Sequence, residues 1–280
     1  MQPAASFRRT VRPTRIITSS EAPGAHPTFD NAPEAPDTAP SLDTGDLIAV
    51  AGVSNSSVGK PQSLLVAGGA KRDGFFYVPP TYDPSLPSPM VVMLHGAGGH
   101  ASPTDSYLTF GGLQNLDASR CILMVPESRG STWDAIRGSF GPDVAHINRA
   151  LYKIFPSYPV DPIHVALAGF SDGASYALSL ALPNADLFTH VIAFSRGFMA
   201  APAALAAPVP PVPLPGVYIS HGDSDAVLPV RCSRHDVPQL RELDCDVTFH
   251  KFSGGHIIPG FIAQQGLQWF LKSYLKSGSY

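Results

Sequence analysis

From residue 63 onward, apolar positions fall in short unbroken runs separated by longer mixed segments. Residues 63–66 and 75–78 are β-prone and are divided by Gly68-Gly69 and Asp73-Gly74, a hairpin-like signal. Residues 90–94 form a continuous apolar run that stops abruptly at His95-Gly96. Further runs of strand length cover 121–125, 164–168, 190–194, 217–220 and 247–252. Segments long enough for helices fill 104–117, 144–155, 172–182, 229–243 and 260–275. Strands that are apolar without alternation are buried on both faces, and helices between them supply the cover. The pattern therefore predicts an α/β domain, with two leading antiparallel-type strands and then a mostly parallel sheet with helices on both faces. Between 196 and 215 lie Pro202, Pro208, Pro210, Pro211, Pro213 and Pro215. They rule out an ordinary long helix. That segment is too short for a separate cap domain and reads as a rigid surface connection, with a flap over a site as the alternative.

The first sixty residues differ in kind. Residues 1–20 carry Arg8, Arg9, Arg12 and Arg15 and no acid, whereas 21–46 carry six acids and no base. Seven prolines fall in the first forty positions, and no apolar period is sustained. Such a stretch cannot bury enough apolar surface to offset its ordering entropy. The domain division expected is thus a disordered or extended tail over 1–60 and one α/β domain over 61–280. No apolar stretch follows Arg8-Arg9 as a twin-arginine signal requires. The chain is expected in the cytoplasm, with organelle targeting through the Arg-rich start as the alternative.

Hydrophobic residues make up 44% of the 280 and charged residues 15%, enough apolar content for a sizeable core. Nineteen Lys and Arg against 22 Asp and Glu leave no basic balance for a nucleic-acid partner. No run approaches the ~18 apolar residues of a membrane span. Cys121, Cys232 and Cys245 include no C-x-x-C pair, so no metal site or cofactor is expected, and they fit a reducing compartment.

Gly169-Phe170-Ser171-Asp172-Gly173 is a G-x-S-x-G pentapeptide placed between the apolar run 164–168 and a helical segment. That strand–turn–helix setting lets a sharp turn hold the Ser171 hydroxyl in the open. A serine needs a base to become a nucleophile, and the base needs an acid to orient it. In chain order the candidates are Asp225, in His221-Gly222-Asp223-Ser224-Asp225, and His256, in Gly254-Gly255-His256. Asp223 shares the loop and is the competing acid. His95 and His221, each before a glycine at a strand end, read as loop-ordering residues. An oxyanion needs backbone donors. The Asp172 amide is one, and His95-Gly96-Ala97-Gly98-Gly99 supplies the other, Ala97, with Gly98 as the alternative.

From about residue 63 to 274 the chain resembles an α/β-hydrolase, and more narrowly the serine esterases that group poly(3-hydroxybutyrate) depolymerases, feruloyl esterases and phospholipase/carboxylesterase-like proteins. The resemblance rests on Tyr77-Val78-Pro79 with Tyr82-Asp83-Pro84, on Leu94 to Gly99, on the pentapeptide, on His221-Gly222 with Asp225, and on Gly254-Gly255-His256. It implies an eight-stranded sheet without a separate cap domain. It also implies hydrolysis of small-molecule carboxylic esters, short-chain or aryl, without a cofactor. Thioester or acyl-protein deacylation and polyester depolymerisation are the alternatives. Trp133 is placed as relatives place an aromatic wall of the binding cleft, with a buried core tryptophan as the alternative, and Ile257 and Ile258 follow the base where an acyl pocket is expected. Two positions depart from the pattern. Ala174 replaces a second glycine, and Arg196 stands where relatives carry a small residue or proline, read either as reaching an anionic part of a substrate or as solvated.

Overall fold

The computed structural model describes residues 58–64, 73–103, 113–138, 140–197 and 213–276. The expected tail up to residue 57, the start of the helix expected at 104–117 and most of the 196–215 connection lie outside them.

The strands are β1 (Pro61–Ser63), β2 (Gly74–Tyr77), β3 (Ser88–Leu94), β4 (Ile122–Pro126), β5 (Val160–Phe170), β6 (His190–Phe194), β7 (Gly216–Gly222) and β8 (Val247–Phe252). They form one sheet in the order β1-β2-β4-β3-β5-β6-β7-β8. β2 runs antiparallel to both β1 and β4, and every pair from β4 to β8 is parallel. The helices are α1 (Leu113–Ser119), α2 (Pro142–Ile154), α3 (Asp172–Ala181), α4 (Arg231–Glu242) and α5 (Gly260–Lys276).

Alternate residues of each strand feed opposite faces, and two apolar clusters result. On one face Val92, Leu94, Met124, Leu167, Ala193 and Ile219 pack against α2, α3 and α4. On the other, Val91, Met93, Leu123, Ala168, Ile192 and Tyr218 pack against Leu116 of α1 and against Ile262, Leu267, Phe270 and Tyr274 of α5. All seven residues of the central strand β3 are buried, which is why it reads as a run without alternation.

Several strand starts move relative to expectation: β3 begins two residues early, at Ser88, and the starts of β1 and β5 move at a proline. Pro61 opens the edge strand β1, where a missing N–H is tolerated, so the strand lies earlier than 63–66. β5 begins at Val160 rather than 164. Its pairing with β3 jumps from Ser88↔Val160 to Met90↔Val165, an irregularity that accommodates Pro162, and the Asp161 carboxylate accepts the Ile163 amide at 3.1 Å.

The registers align the carboxyl ends of the strands. Leu94 pairs with Gly169, Phe170 with Phe194, Phe194 with Ser220 and Gly222 with Phe252. In an open parallel sheet this edge is where ligands bind. Ser171, Asp225 and His256 all follow it. No helix among the described residues is long and apolar enough to cross a membrane.

At the opposite edge, His190 packs on Trp269 and Phe270 of α5. Burial, reinforced by the neighbouring His164, depresses its pKa to about 4. The unfolded chain therefore takes up a proton there near pH 6.5 while the folded chain does not, so this contribution to stability is lost as pH falls from 6.5 towards 4. His190→Phe, which keeps a ring and lacks the proton site, is expected to show a shallower decline, by roughly 3 kcal/mol over that range. Urea unfolding of both proteins across pH 4 to 7 checks it.

Candidate active site

The turn from β5 into α3 is built from contact between glycines. A Cβ on Gly169 would lie 2.3 Å from the Gly173 carbonyl, and one on Gly173 would lie 2.4 Å from the carbonyl oxygens of both Leu94 and His95. Neither position accepts a side chain, because the obstacle is backbone on both sides. Between them Ser171 takes φ 55° and ψ −119°, a conformation that an L-residue adopts only under constraint. Its amide donates to Phe194 O on β6 at 3.0 Å, which ties the turn to the next strand. Ala174 is fully buried within the core, so its methyl group fills the space that a second glycine would leave.

Ser171 Oγ lies 2.9 Å from Nε2 of His256. On the other side of the ring, Nδ1 lies 2.7 Å from Oδ2 of Asp225. Phe170 packs against the His256 ring at 4.8 Å between centroids. The Asp225 side chain is fully buried. Its Oδ1 accepts the amides of Val227 at 2.9 Å and Leu228 at 2.8 Å. Burial works against its charged form, but the bonds from His256, Leu228 and Val227 outweigh it and hold the carboxyl below the ordinary aspartate range. Asp223 faces elsewhere. Its carboxylate accepts Ser224 Oγ and the Gly254 amide and orders the loop that carries His256.

Residues 149–273, a stretch that includes Ser171, Asp225 and His256, match the Phospholipase/Carboxylesterase family. Over 155 residues the chain is 31% identical to NocK of Nocardia uniformis subsp. tsuyamanensis, whose name carries an esterase assignment, covering 52% of this chain and 43% of NocK. Over 193 residues it is 28% identical to Feruloyl esterase C of Emericella nidulans, covering 66% and 67%. The crystal structure of esterase PE8 superposes with a TM-score of 0.55 at 23% identity, over 74% of this chain and 99% of PE8. The chain has the α/β-hydrolase fold. It spans less than half the length of NocK and about two thirds of Feruloyl esterase C.

The glycine-rich loop after β3 lies directly against the serine, since a Cβ on Gly96 would stand 3.3 Å from Ser171 Cβ. Gly98 has φ +67°, which favours glycine. Its amide is already committed to Ser131 O at 2.7 Å. The adjacent Ala97 is exposed. The Asp172 amide opens helix α3, where the first-turn amides have no intrahelical acceptor. Both strand-end histidines order loops. His95 Nε2 accepts the Ser128 amide at 3.2 Å. His221 bonds Leu228 O through Nε2 at 2.6 Å and Ser233 Oγ through Nδ1 at 2.8 Å, which shapes the loop bearing Asp225. Among the described residues no group of three His, Cys, Asp or Glu is placed to hold a metal ion.

Two expectations are corrected. Trp133 is fully buried, so it does not wall the cleft. Its indole N–H donates to His95 O at 2.8 Å, and its ring lies between His95 and Tyr176 at centroid distances of 4.9 and 5.3 Å. A large aromatic with one donor packs this way when a buried carbonyl needs a partner. Arg196 is neither solvated nor turned towards a substrate. It is fully buried and paired with Asp236 of α4, whose other oxygen contacts His235. Ile257, by contrast, is exposed beside His256, and Ile258 packs partly into the core. No periodicity marks Arg196 as interior, because its partner lies 40 residues away.

Arg196→Met is expected to destabilise the fold by about 3–5 kcal/mol, because Asp236 is left buried without its counter-charge. Urea unfolding measures the loss.

Proposed function

We propose that this chain of α/β-hydrolase fold is a serine carboxylesterase that works through an acyl-enzyme, with its chemistry carried by residues 61–280. The observation that supports this most is the unbroken chain Ser171 Oγ, His256, Asp225, with contacts of 2.9 and 2.7 Å. Ser171 attacks the ester carbonyl carbon while its proton passes to His256 Nε2. Asp225 accepts the Nδ1 hydrogen, which sets the ring tautomer and stabilises the imidazolium. The oxyanion is held by the amides of Asp172 and Ala97, since Gly98 is engaged by Ser131. The ester C–O bond then breaks, and His256 returns the proton to the departing alcohol. Water enters and gives a proton to His256. The resulting hydroxide attacks the acyl carbon, and Ser171 leaves with the proton from His256, releasing the acid.

Short-chain and aryl esters are the substrates to which this reading extends. Feruloyl esterase C is a relative over two thirds of this chain, and the apolar side chain of Ile257 stands exposed beside the base.

Hydrolysis of p-nitrophenyl esters from acetate to dodecanoate, with methyl ferulate as the aryl substrate, tests the proposal. Turnover should be highest on short chains and vanish in Ser171→Ala. Equal rates in that variant and the wild type would refute a serine mechanism. Asp225→Asn should keep the fold and lower kcat by about 10⁴-fold, because an amide at this position favours the wrong histidine tautomer. Steady-state kinetics on p-nitrophenyl acetate reads this directly.

A further inference from the structure

The two oxyanion donors come from different elements, the loop after β3 and the first turn of α3. Their separation must be held to a fraction of an ångström for both to meet one oxygen atom, and a misplacement of about 1 Å is enough to lower a rate by around 10²-fold. One segment, residues 128–134, is bonded to both. Towards the loop after β3 it makes three hydrogen bonds. The Ser128 amide donates to His95 Nε2 at 3.2 Å, Ser131 O accepts the Gly98 amide at 2.7 Å, and the Trp133 indole N–H donates to His95 O at 2.8 Å. Towards α3 it makes two. The Thr132 hydroxyl donates to Asp172 Oδ2 at 2.7 Å, and Asp134 Oδ1 accepts the Tyr176 hydroxyl at 3.0 Å.

The segment is itself anchored from behind. The amides of Asp134 and Arg129 both donate to the Asp143 carboxylate at the start of α2, and Asp134 Oδ2 accepts the amides of Gly141 and Asp143. Asp143 is fully buried and Asp134 nearly so, which makes these reciprocal bonds hard to exchange for water. The contacts to His95 O and to Asp172 each lie within two residues of a donor amide. His95 O is also one of the two carbonyls against which Gly173 is packed. A shift of Trp133 therefore reaches the serine turn and the glycine-rich loop together.

We propose that residues 128–134 act as the spacer of the oxyanion hole, with Trp133 and Thr132 as positioning residues that set the Ala97 and Asp172 amides relative to each other. This rests on the serine esterase reading above. The Trp133 side chain is fully buried, and the Thr132 hydroxyl is engaged by Asp172. Their effect falls on the transition state, where the oxyanion exists, and not on substrate affinity. Acylation and deacylation both pass through an oxyanion, so both slow together and KM stays put while kcat falls.

The test compares Trp133→Phe, Thr132→Val and Thr132→Ser with the wild type, using kcat and KM on p-nitrophenyl acetate. It also measures inhibition by trifluoroacetophenone, whose adduct with Ser171 carries an oxyanion in the same place. Trp133→Phe, which keeps a ring and loses the N–H, should lower kcat about 10- to 100-fold with KM changed less than about threefold. Inhibition should weaken by a similar factor. Thr132→Val should lower kcat by about tenfold, and Thr132→Ser should restore most of it, since the hydroxyl returns. Unchanged kcat in both Trp133→Phe and Thr132→Val, or a loss confined to KM, would overturn the proposal. So would Thr132→Ser behaving like Thr132→Val. The threonine pair carries the test if Trp133→Phe does not fold. Absence of both wild-type turnover and fluorophosphonate labelling of Ser171 would remove the esterase reading and this proposal with it. Normal wild-type turnover with indifferent variants would remove this proposal alone.

Discussion

The backbone of Ser171 is the point from which every other distance in the site is measured. Its φ of 55° and ψ of −119° lie outside the ordinary regions for an L-residue. Holding such a conformation costs on the order of 1–3 kcal/mol and persists only where the surroundings over-determine it. Here they do so from three sides. Gly169 and Gly173 touch each other across the turn, Gly173 is pressed against the last carbonyls of β3, and the Ser171 amide is bonded to β6. The central strands of the sheet, buried on both faces, supply the rigidity. Packing in the core is thus converted into the fixed direction of one hydroxyl.

The remaining groups reach that hydroxyl because the parallel registers bring the strand ends level. His256 and Ser171 are 85 residues apart in the chain and share a hydrogen bond, and Asp225 closes the line from 31 residues away. The acid is the most heavily committed member. Two backbone amides and His256 hold it, and His221 stands 3.3 Å from the same oxygen that His256 contacts. Burial has pushed the His221 pKa down, against the pull of Leu228 O and Asp225. Through Nε2 it bonds the Leu228 carbonyl and so shapes the loop that carries Asp225. A buried carboxylate satisfied in this way stays ionised and stays in place.

Trp133 and Arg196 show where reading along the chain meets its physical boundary. Both are large side chains with polar atoms, both follow strand ends, and both are found fully buried. Position relative to the sheet was readable for each. Direction was not, because it depends on which distant group has an unmet need. His95 O required a donor, and Asp236 required a cation. Asp223 and Asp225 illustrate the same point within a single loop. They are two residues apart, and only the approach of the segment 254–256 assigns one to Gly254 and the other to His256.

By itself, the sequence determined the elements, their order and the residue types at the turn. Unbroken apolar runs of five or so residues between turn signals read as strands buried on both faces, and a serine between two glycines at a strand–helix junction has few conformations open to it. Strands 190–194 and 247–252 and the start of α3 at Asp172 are found where the pattern put them. The starts of β1 and β5 moved because Pro61 and Pro162 remove donors that the sheet does without at an edge and at an irregular pairing. Only the tertiary structure decided which amide of the glycine-rich loop stays open, which aspartate faces His256, and that Trp133 braces the loop instead of lining the cleft. Those outcomes turn on single hydrogen bonds between segments far apart in the chain. They are settled by which partners the packed sheet brings within about 3 Å, a quantity that no local pattern carries.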